Sequence, residues 1–474
     1  MKIALVAMSG IRACDPELLR LGLTLPGFVE RARTIASLPS LGLLTLAGQT
    51  PPEHEVSYHE VDDLRAAEGL PLDADLVAIS TFSAQAPEAY ELAARFVGRG
   101  IPVVIGGLHA TALPEEVVAA GATAAVGEGE RIWPAILRDA EAGTLRPIYD
   151  ARAAAFDLAE APMPRYDLLD PSRYNRLTVQ ASRGCPWRCT FCASSVLLRD
   201  GYAQKPIARV LAEIDRIREV WPRPFLEFAD DNAFVNRGWW RALLPHLETR
   251  DLRWFAETDL SVHEDAEFLR ALRRAGCRHL LLGLESPVPE GLDGIELHRN
   301  WKWETRDRGR EAVRRIQAEG IRVTACFVVG LDGHTPAIFE EVLRFAEEAA
   351  PFDVQVTYPT PFPGTPLHRE WKAAGRLTRD GEWNRCTLFD INFAPRPMSE
   401  DELREGFRDL VRRLYSEEFT ASRREMARRM RRRGPGTSRR AGGRGRSEPD
   451  QPRGGSPTSA PAASADEAAK PPSP

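Results

Sequence analysis

No apolar run in the 474-residue sequence approaches the roughly 18 residues that a membrane-crossing helix needs. The opening Met1-Lys2-Ile3-Ala4-Leu5-Val6 is too short and too soon polar for a secretory leader. Neither sign of charge dominates, and a formal net charge of −5 gives no global pull toward nucleic acid. Cysteine is scarce: its seven copies are an odd number, scattered outside one short stretch, which argues against a disulfide framework. No internal repeat stands out. Together these absences predict a cytoplasmic protein with no membrane span, reduced thiols and no nucleic-acid partner. The length suffices for two or three domains with sizeable cores.

The stretch Ser182-Arg183-Gly184-Cys185-Pro186-Trp187-Arg188-Cys189-Thr190-Phe191-Cys192 holds three of the seven cysteines, spaced C-x3-C-x2-C after an apolar run. Such a loop can turn three thiolates toward one point, one short of the four-ligand shell of a structural zinc or electron-transfer iron–sulfur site. The open position is where chemistry could occur. A zinc knuckle, or thiols with no ligand, is the competing reading. A zinc site would want a fourth Cys or His nearby, and none follows before His246.

The spacing, with Phe191 as the aromatic residue before the last cysteine, resembles the radical S-adenosylmethionine (radical SAM) enzymes. That resemblance implies a [4Fe–4S] cluster held by Cys185, Cys189 and Cys192. Its open iron would bind S-adenosylmethionine, and an electron donor such as flavodoxin or ferredoxin would trigger cleavage to a 5′-deoxyadenosyl radical.

Upstream, residues 2–7, 54–61, 76–82, 102–105 and 123–126 read as strands, and 39–49, 87–96 and 131–142 as helices. This alternation predicts a doubly wound parallel sheet with its ligand at the carboxyl ends of the strands. Those ends carry Ser80, then Gly106-Gly107-Leu108-His109, then Glu128-Gly129. Ordinary turn chemistry is the alternative for any one glycine pair. Jointly they resemble the cobalamin-binding domain of the B12-dependent branch of radical SAM enzymes, which implies cobalamin contacts at Ser80, Gly106, Gly107, His109, Glu128 and Gly129. The D-x-H-x-x-G element of that domain is absent after the first strand, where the chain reads Met8-Ser9-Gly10-Ile11-Arg12-Ala13-Cys14-Asp15. No axial histidine from below the cobalt is expected, and His109 should bond locally or to the nucleotide tail.

From residue 177 the beat lengthens. Strands read at 177–182, 225–230, 253–259, 279–285, 322–330 and 353–359, with helices between them, which predicts a partial six-stranded (β/α) barrel. Asp230 and Asp231 end the second strand and Glu285 the fourth, and all three are expected to contact S-adenosylmethionine. Glu257 and Asp259 are evenly balanced between ligand and cap, while Cys14, Cys277 and Cys326 read as packed thiols.

The expected layout is a cobalamin-binding Rossmann-like domain at 1–145, a linker at 146–176, the barrel at 177–375, an extension or lid at 376–432 and a disordered tail at 433–474. The arginine-rich segment 423–433 reads as a solvated helix end. Trp371, Trp383 and Phe389 hint at an apolar substrate. The resemblance implies a cobalamin-dependent radical C-methyltransferase. A cyclase, rearrangement or oxidation enzyme with the same cofactors, and a non-catalytic cobalamin or iron–sulfur sensor, are the alternatives.

Overall fold

The computed structural model describes residues 1–20, 38–199 and 201–433. The tail expected at 433–474 lies outside the described residues from 434 on, and Arg433 ends a helix.

Strand β1 (Lys2–Met8) is buried along six of its seven residues. Ala4, Val6 and Met8 pack into one core and Ile3, Leu5 and Ala7 into another. Burial on both faces is why its apolar run is continuous rather than alternating. β2 (Glu55–Val61), β3 (Leu76–Ser80), β4 (Val103–Gly106), β5 (Thr123–Val126) and β6 (Ile148–Asp150) complete a six-stranded sheet. Its order is β2-β1-β3-β4-β5-β6 and every pairing in it is parallel. β6 lies inside the expected linker, beyond the boundary drawn at 145. Its three residues are too short a run to stand out by pattern, and it pairs only because β5 offers an open edge.

The second sheet begins with β7 (Leu177–Val179), and a small antiparallel ribbon of β8 (Ser182–Arg183) and β9 (Ala203–Gln204) follows. Then come β10 (Phe225–Phe228), β11 (Arg253–Thr258), β12 (Cys277–Glu285), β13 (Arg322–Val328) and β14 (Asp353–Thr357). The order β14-β13-β12-β11-β10-β7 is that of the expected six-stranded partial barrel, with helices between successive strands. Leu226, Phe228, Trp254, Ala256, Leu280, Leu282, Val323, Ala325, Val354 and Val356 join the helix-facing core.

After β14 the chain forms the helix Pro366–Ala373, a short bridge between Leu377 and Phe393, and the helix Glu400–Leu414. Ser399 and Glu402 close that last helix with the expected capping box. Asp390 accepts from the backbone N–H groups of Cys14 (2.8 Å) and Asp15 (3.0 Å), and Arg408 pairs with Asp15 at 2.8 Å. The extension is therefore bonded to the first strand's loop. The helix Glu417–Arg433 corrects another expectation: Arg423 is 1% exposed and donates to the carbonyls of Pro351 and Phe352, while Arg424 pairs with Asp353 at 2.6 Å. Part of the arginine run is thus docked at the amino end of β14 rather than solvated. No helix among the described residues is long and apolar enough to cross a membrane.

Candidate functional site

The carboxyl ends of both sheets converge on one region. A cavity of about 300 Å³ opens against the first sheet, lined by Ser80, Gly106, Gly107, Glu128 and Gly129, with apolar walls from Leu43, Leu46, Ala78, Val104, Ile132 and Trp133. The walls suit a flat, largely apolar group, and the rim supplies backbone and hydroxyl partners. That is the character of cobalamin's nucleotide tail, so the residues present fit that cofactor. Gly107 has φ of +105° and a Cβ there would lie 2.5 Å from the Thr81 carbonyl oxygen, so the turn itself demands glycine.

His109 bonds locally, one of the two outcomes expected for it, and is not among the lining residues. Its ring is fully buried and bonds to Ser83 Oγ (3.1 Å) and Tyr90 OH (2.9 Å), with Trp383 edge-on at 5.5 Å. Burial keeps the imidazole neutral, lowering its pKa to about 4.

The cysteine loop is held from three sides. Gly184, at φ of +87°, has no room for a Cβ, which would meet the Gly201 carbonyl oxygen at 2.0 Å. Asp230 accepts from the backbone N–H and the hydroxyl of Ser182, and Asp231 accepts from Gly184 N–H (2.9 Å) and Ser194 Oγ. Burial, opposed by those bonds, pushes Asp230 up to about 7. Both aspartates are therefore occupied in fastening the loop, where the sequence suggested direct contact with S-adenosylmethionine. Opposite them, residues after β12 run beside the loop: Thr190 N–H donates to Ile295 O (2.8 Å), Leu297 N–H donates to Arg188 O (3.2 Å), and Cys189 bridges Glu296. Trp187 stacks on Trp301 at 4.8 Å and donates to Asp259 at 2.8 Å, which makes Asp259 a brace. Phe191 packs beside Ile295, Val328 and Leu331.

Glu285, at φ of +62°, is paired with Lys302 Nζ at 2.8 Å, and the same ammonium donates to the Gly283 carbonyl at 2.9 Å. Burial works against the charge on Lys302, but Glu285, Cys189 and Glu296 hold it cationic. A buried cation beside the cysteines had no sequence signal, because Trp301-Lys302-Trp303 is an ordinary-looking surface helix turn.

All seven cysteines are free, Cys185, Cys189 and Cys192 among them. Burial raises each of the three thiols, Cys185 to about 11. Among the described residues no three His, Cys, Asp or Glu side chains converge as ligands of a single ion would. In a cubane cluster each cysteine binds a different iron, so its thiolates stand apart rather than meeting at one point. Three free thiols on one braced loop, with no further ligand converging on them among the described residues, fit a cluster with one open iron better than a zinc knuckle.

The second sheet turns one face to the helix-packed core and leaves the other, the chamber face, partly open. Glu227, Glu257, Leu281, Gly283, Cys326 and Gln355 keep partial exposure while the residues alternating with them are buried. Glu257 lies opposite Leu281, Gly283 opposite Cys326, and Cys326 opposite Gln355. Cys326 thus faces this chamber, unlike Cys277, which is packed in the core. Gln180 and Ala229, at the ends of β7 and β10, also line the cavity, so the two spaces share a border. Trp371 and Phe389 are buried in the core and Trp383 bonds to Glu116 at 2.9 Å, so none of them argues for an apolar substrate.

Residues 179–346 match the family model described as the radical SAM superfamily, 35–137 the B12 binding domain, and 365–445 a domain of unknown function. An uncharacterized methyltransferase of Synechocystis sp. is 31% identical over 79% of this chain and 70% of that protein. The hopanoid C-2 methylase of Rhodopseudomonas palustris is 27% identical over 81% of this chain and 72% of that protein. The methyltransferase TsrM of Kitasatospora setae, solved with cobalamin and a [4Fe–4S] cluster bound, shares the fold with a TM-score of 0.62 at 16% identity, over 88% of this chain and 90% of that one.

Proposed function

Because the chain belongs to the family of cobalamin-dependent radical SAM methyltransferases, we propose that it methylates an unactivated carbon held on the chamber face of the second sheet. Cys185, Cys189 and Cys192 would hold the cluster, and the cavity at Ser80, Gly106, Gly107, Glu128 and Gly129 would take the nucleotide tail of cobalamin. When bound, the cluster supplies the electron that cleaves S-adenosylmethionine, and cobalamin supplies the methyl group.

The observation that carries this reading is the shared border at Gln180 and Ala229. A substrate on the chamber face would lie between the cysteine loop and the cobalamin cavity, within reach of both. The chain's own work is then to bind, orient and enclose. Asp230 and Asp231 fix the loop's entry and exit, Trp187 stacks on Trp301 beside it, and Lys302 and Glu285 form a charge pair near Cys189. A zwitterionic amino-acid group, such as the end of S-adenosylmethionine, is complementary to such a pair. The chamber's own lining is mixed, with Glu257, Cys326 and Gln355 beside Leu281. It favours a substrate carrying polar groups as well as the carbon to be methylated.

Anaerobic reconstitution tests the assignment. The wild-type chain should take up about four iron and four sulfide and bind cobalamin. The triple variant Cys185→Ala, Cys189→Ala, Cys192→Ala should lose the iron and keep the cobalamin. Full iron in that variant would sink the cluster assignment.

A further inference from the structure

We propose that Arg183 is a positioning residue that couples the two cofactor sites, so that cluster assembly and cobalamin binding strengthen each other. The inference rests on the reading above of which cofactors occupy the loop and the cavity, and asks how the protein links them.

Arg183 stands two residues before Cys185, with only the tightly fitted Gly184 between them. Its guanidinium reaches back to the first sheet. Nη1 pairs with Glu128 at 2.7 Å, and Nη2 pairs with Glu130 at 2.7 Å and with Gln180 Oε1 at 3.0 Å. Glu128 and Glu130 flank Gly129, the first residue of the helix Gly129–Glu141, and all three line the cavity together with Arg183. Glu128 is also gripped from the far side of the cysteine loop. Arg199, seven residues past Cys192, pairs with it at 3.1 Å and donates to the Phe156 carbonyl at 2.8 Å, while Phe156 N–H donates to Glu128 at 2.6 Å.

Two arginines that bracket the cysteines therefore close on one carboxylate of the cavity wall. None of the four charged side chains is more than 14% exposed. Their partners are fixed by mutual need: withdrawing either arginine would leave a buried carboxylate short of its counter-charge, which is strongly unfavourable. Ligation that orders residues 185–192 thus orders Arg183 and Arg199, and through them the wall at Glu128–Glu130. A ligand that fills the cavity orders the same wall and, through it, the loop. Linkage makes the two effects equal in size.

The test uses the full chain under anaerobic conditions in two forms, cluster-free after chelation and reconstituted with iron and sulfide. Hydroxocobalamin is titrated into each by equilibrium dialysis. The cluster-loaded form should bind about tenfold tighter, within the range usual for coupled sites. In Arg183→Gln both forms should still bind, with the ratio reduced to about twofold or less. Arg183→Lys keeps the charge but not the two-pronged reach, and should recover only part of the ratio. Glu130→Gln attacks the clasp from the cavity side and should narrow the ratio as well, so the outcome does not hang on one variant's folding. As a second readout, the electron paramagnetic resonance line shape of the reduced cluster should change on adding cobalamin to the wild type and not to Arg183→Gln. A wild-type ratio near one, or an undiminished ratio in both Arg183→Gln and Glu130→Gln, overturns the coupling. Absence of any binding to either wild-type form overturns the cavity assignment and the coupling with it.

Discussion

Glu257 should make the protein less stable as the solution becomes more alkaline, and Glu257→Gln should remove that penalty. The carboxyl projects from β11 onto the chamber face, and no hydrogen-bond partner among the described residues reaches it. Burial, aided by the nearby Glu227 and Asp231 and opposed by Arg176, pushes it from the usual 4.5 to about 7. Cys326 also faces it, and its thiol is pushed up, by burial first and then by Glu257. The folded chain therefore binds this proton at a pH where the unfolded chain has released it. Stability from this residue is present below pH 4.5 and is lost as pH rises toward about 7. The displacement corresponds to roughly 3 kcal/mol as an upper bound. The chamber face keeps some access to water, which brings the expected cost to about 1–2 kcal/mol. Glutamine preserves the shape and stays neutral throughout. Asp230 has a similar upward shift in both proteins, so it cancels in the difference. Thermal midpoints of the cluster-free chain at pH 5 and pH 8 provide the assay. The variant should gain about 1–3 °C over wild type at pH 8 and little at pH 5. A variant destabilised at pH 8, or a gap that does not depend on pH, would refute the reasoning.

Three further perturbations follow from the same geometry. Asp231→Ala removes the acceptor for Gly184 N–H and Ser194 Oγ; iron content after reconstitution should fall several-fold with cobalamin binding kept, in line with about 1–3 kcal/mol lost from the loop. Gly42 lines the cavity with open space beyond its Cβ position, so Gly42→Trp should cut cobalamin binding at least tenfold while the thermal midpoint stays near wild type. Arg423→Ala strips the buried donor from the Pro351 and Phe352 carbonyls and should cost about 2–4 kcal/mol, read as a lower thermal midpoint without loss of either cofactor.

Much of the architecture was legible because parallel strands buried on both faces are short apolar runs, and because their carboxyl ends are where such sheets place ligands. Ser80, Gly106, Gly107, Glu128 and Gly129 were found by that rule, and all line the cavity. The same rule left His109 between local bonding and the ligand, because its partners Ser83 and Tyr90 lie 26 and 19 residues away and leave no local trace. Asp230 and Asp231 were read as following a strand, but which groups of the cysteine loop they accept from depends on how that loop folds back over them. Lys302, Trp301 and Glu296 reach the cysteines only because a long excursion after β12 lies across the loop, and nothing in their own neighbourhood encodes that crossing. The burial of Arg423 escaped notice for a related reason: its carbonyl partners are 72 and 71 residues upstream.

The central claim is that the three-cysteine loop serves the cleavage of S-adenosylmethionine. The direct measurement is 5′-deoxyadenosine released during anaerobic incubation of the reconstituted chain with S-adenosylmethionine and dithionite. The wild type should release it, and the Cys185→Ala, Cys189→Ala, Cys192→Ala variant should release none above the protein-free background. Equal release from both, or none from a wild-type chain carrying a full complement of iron and sulfide, would contradict the account.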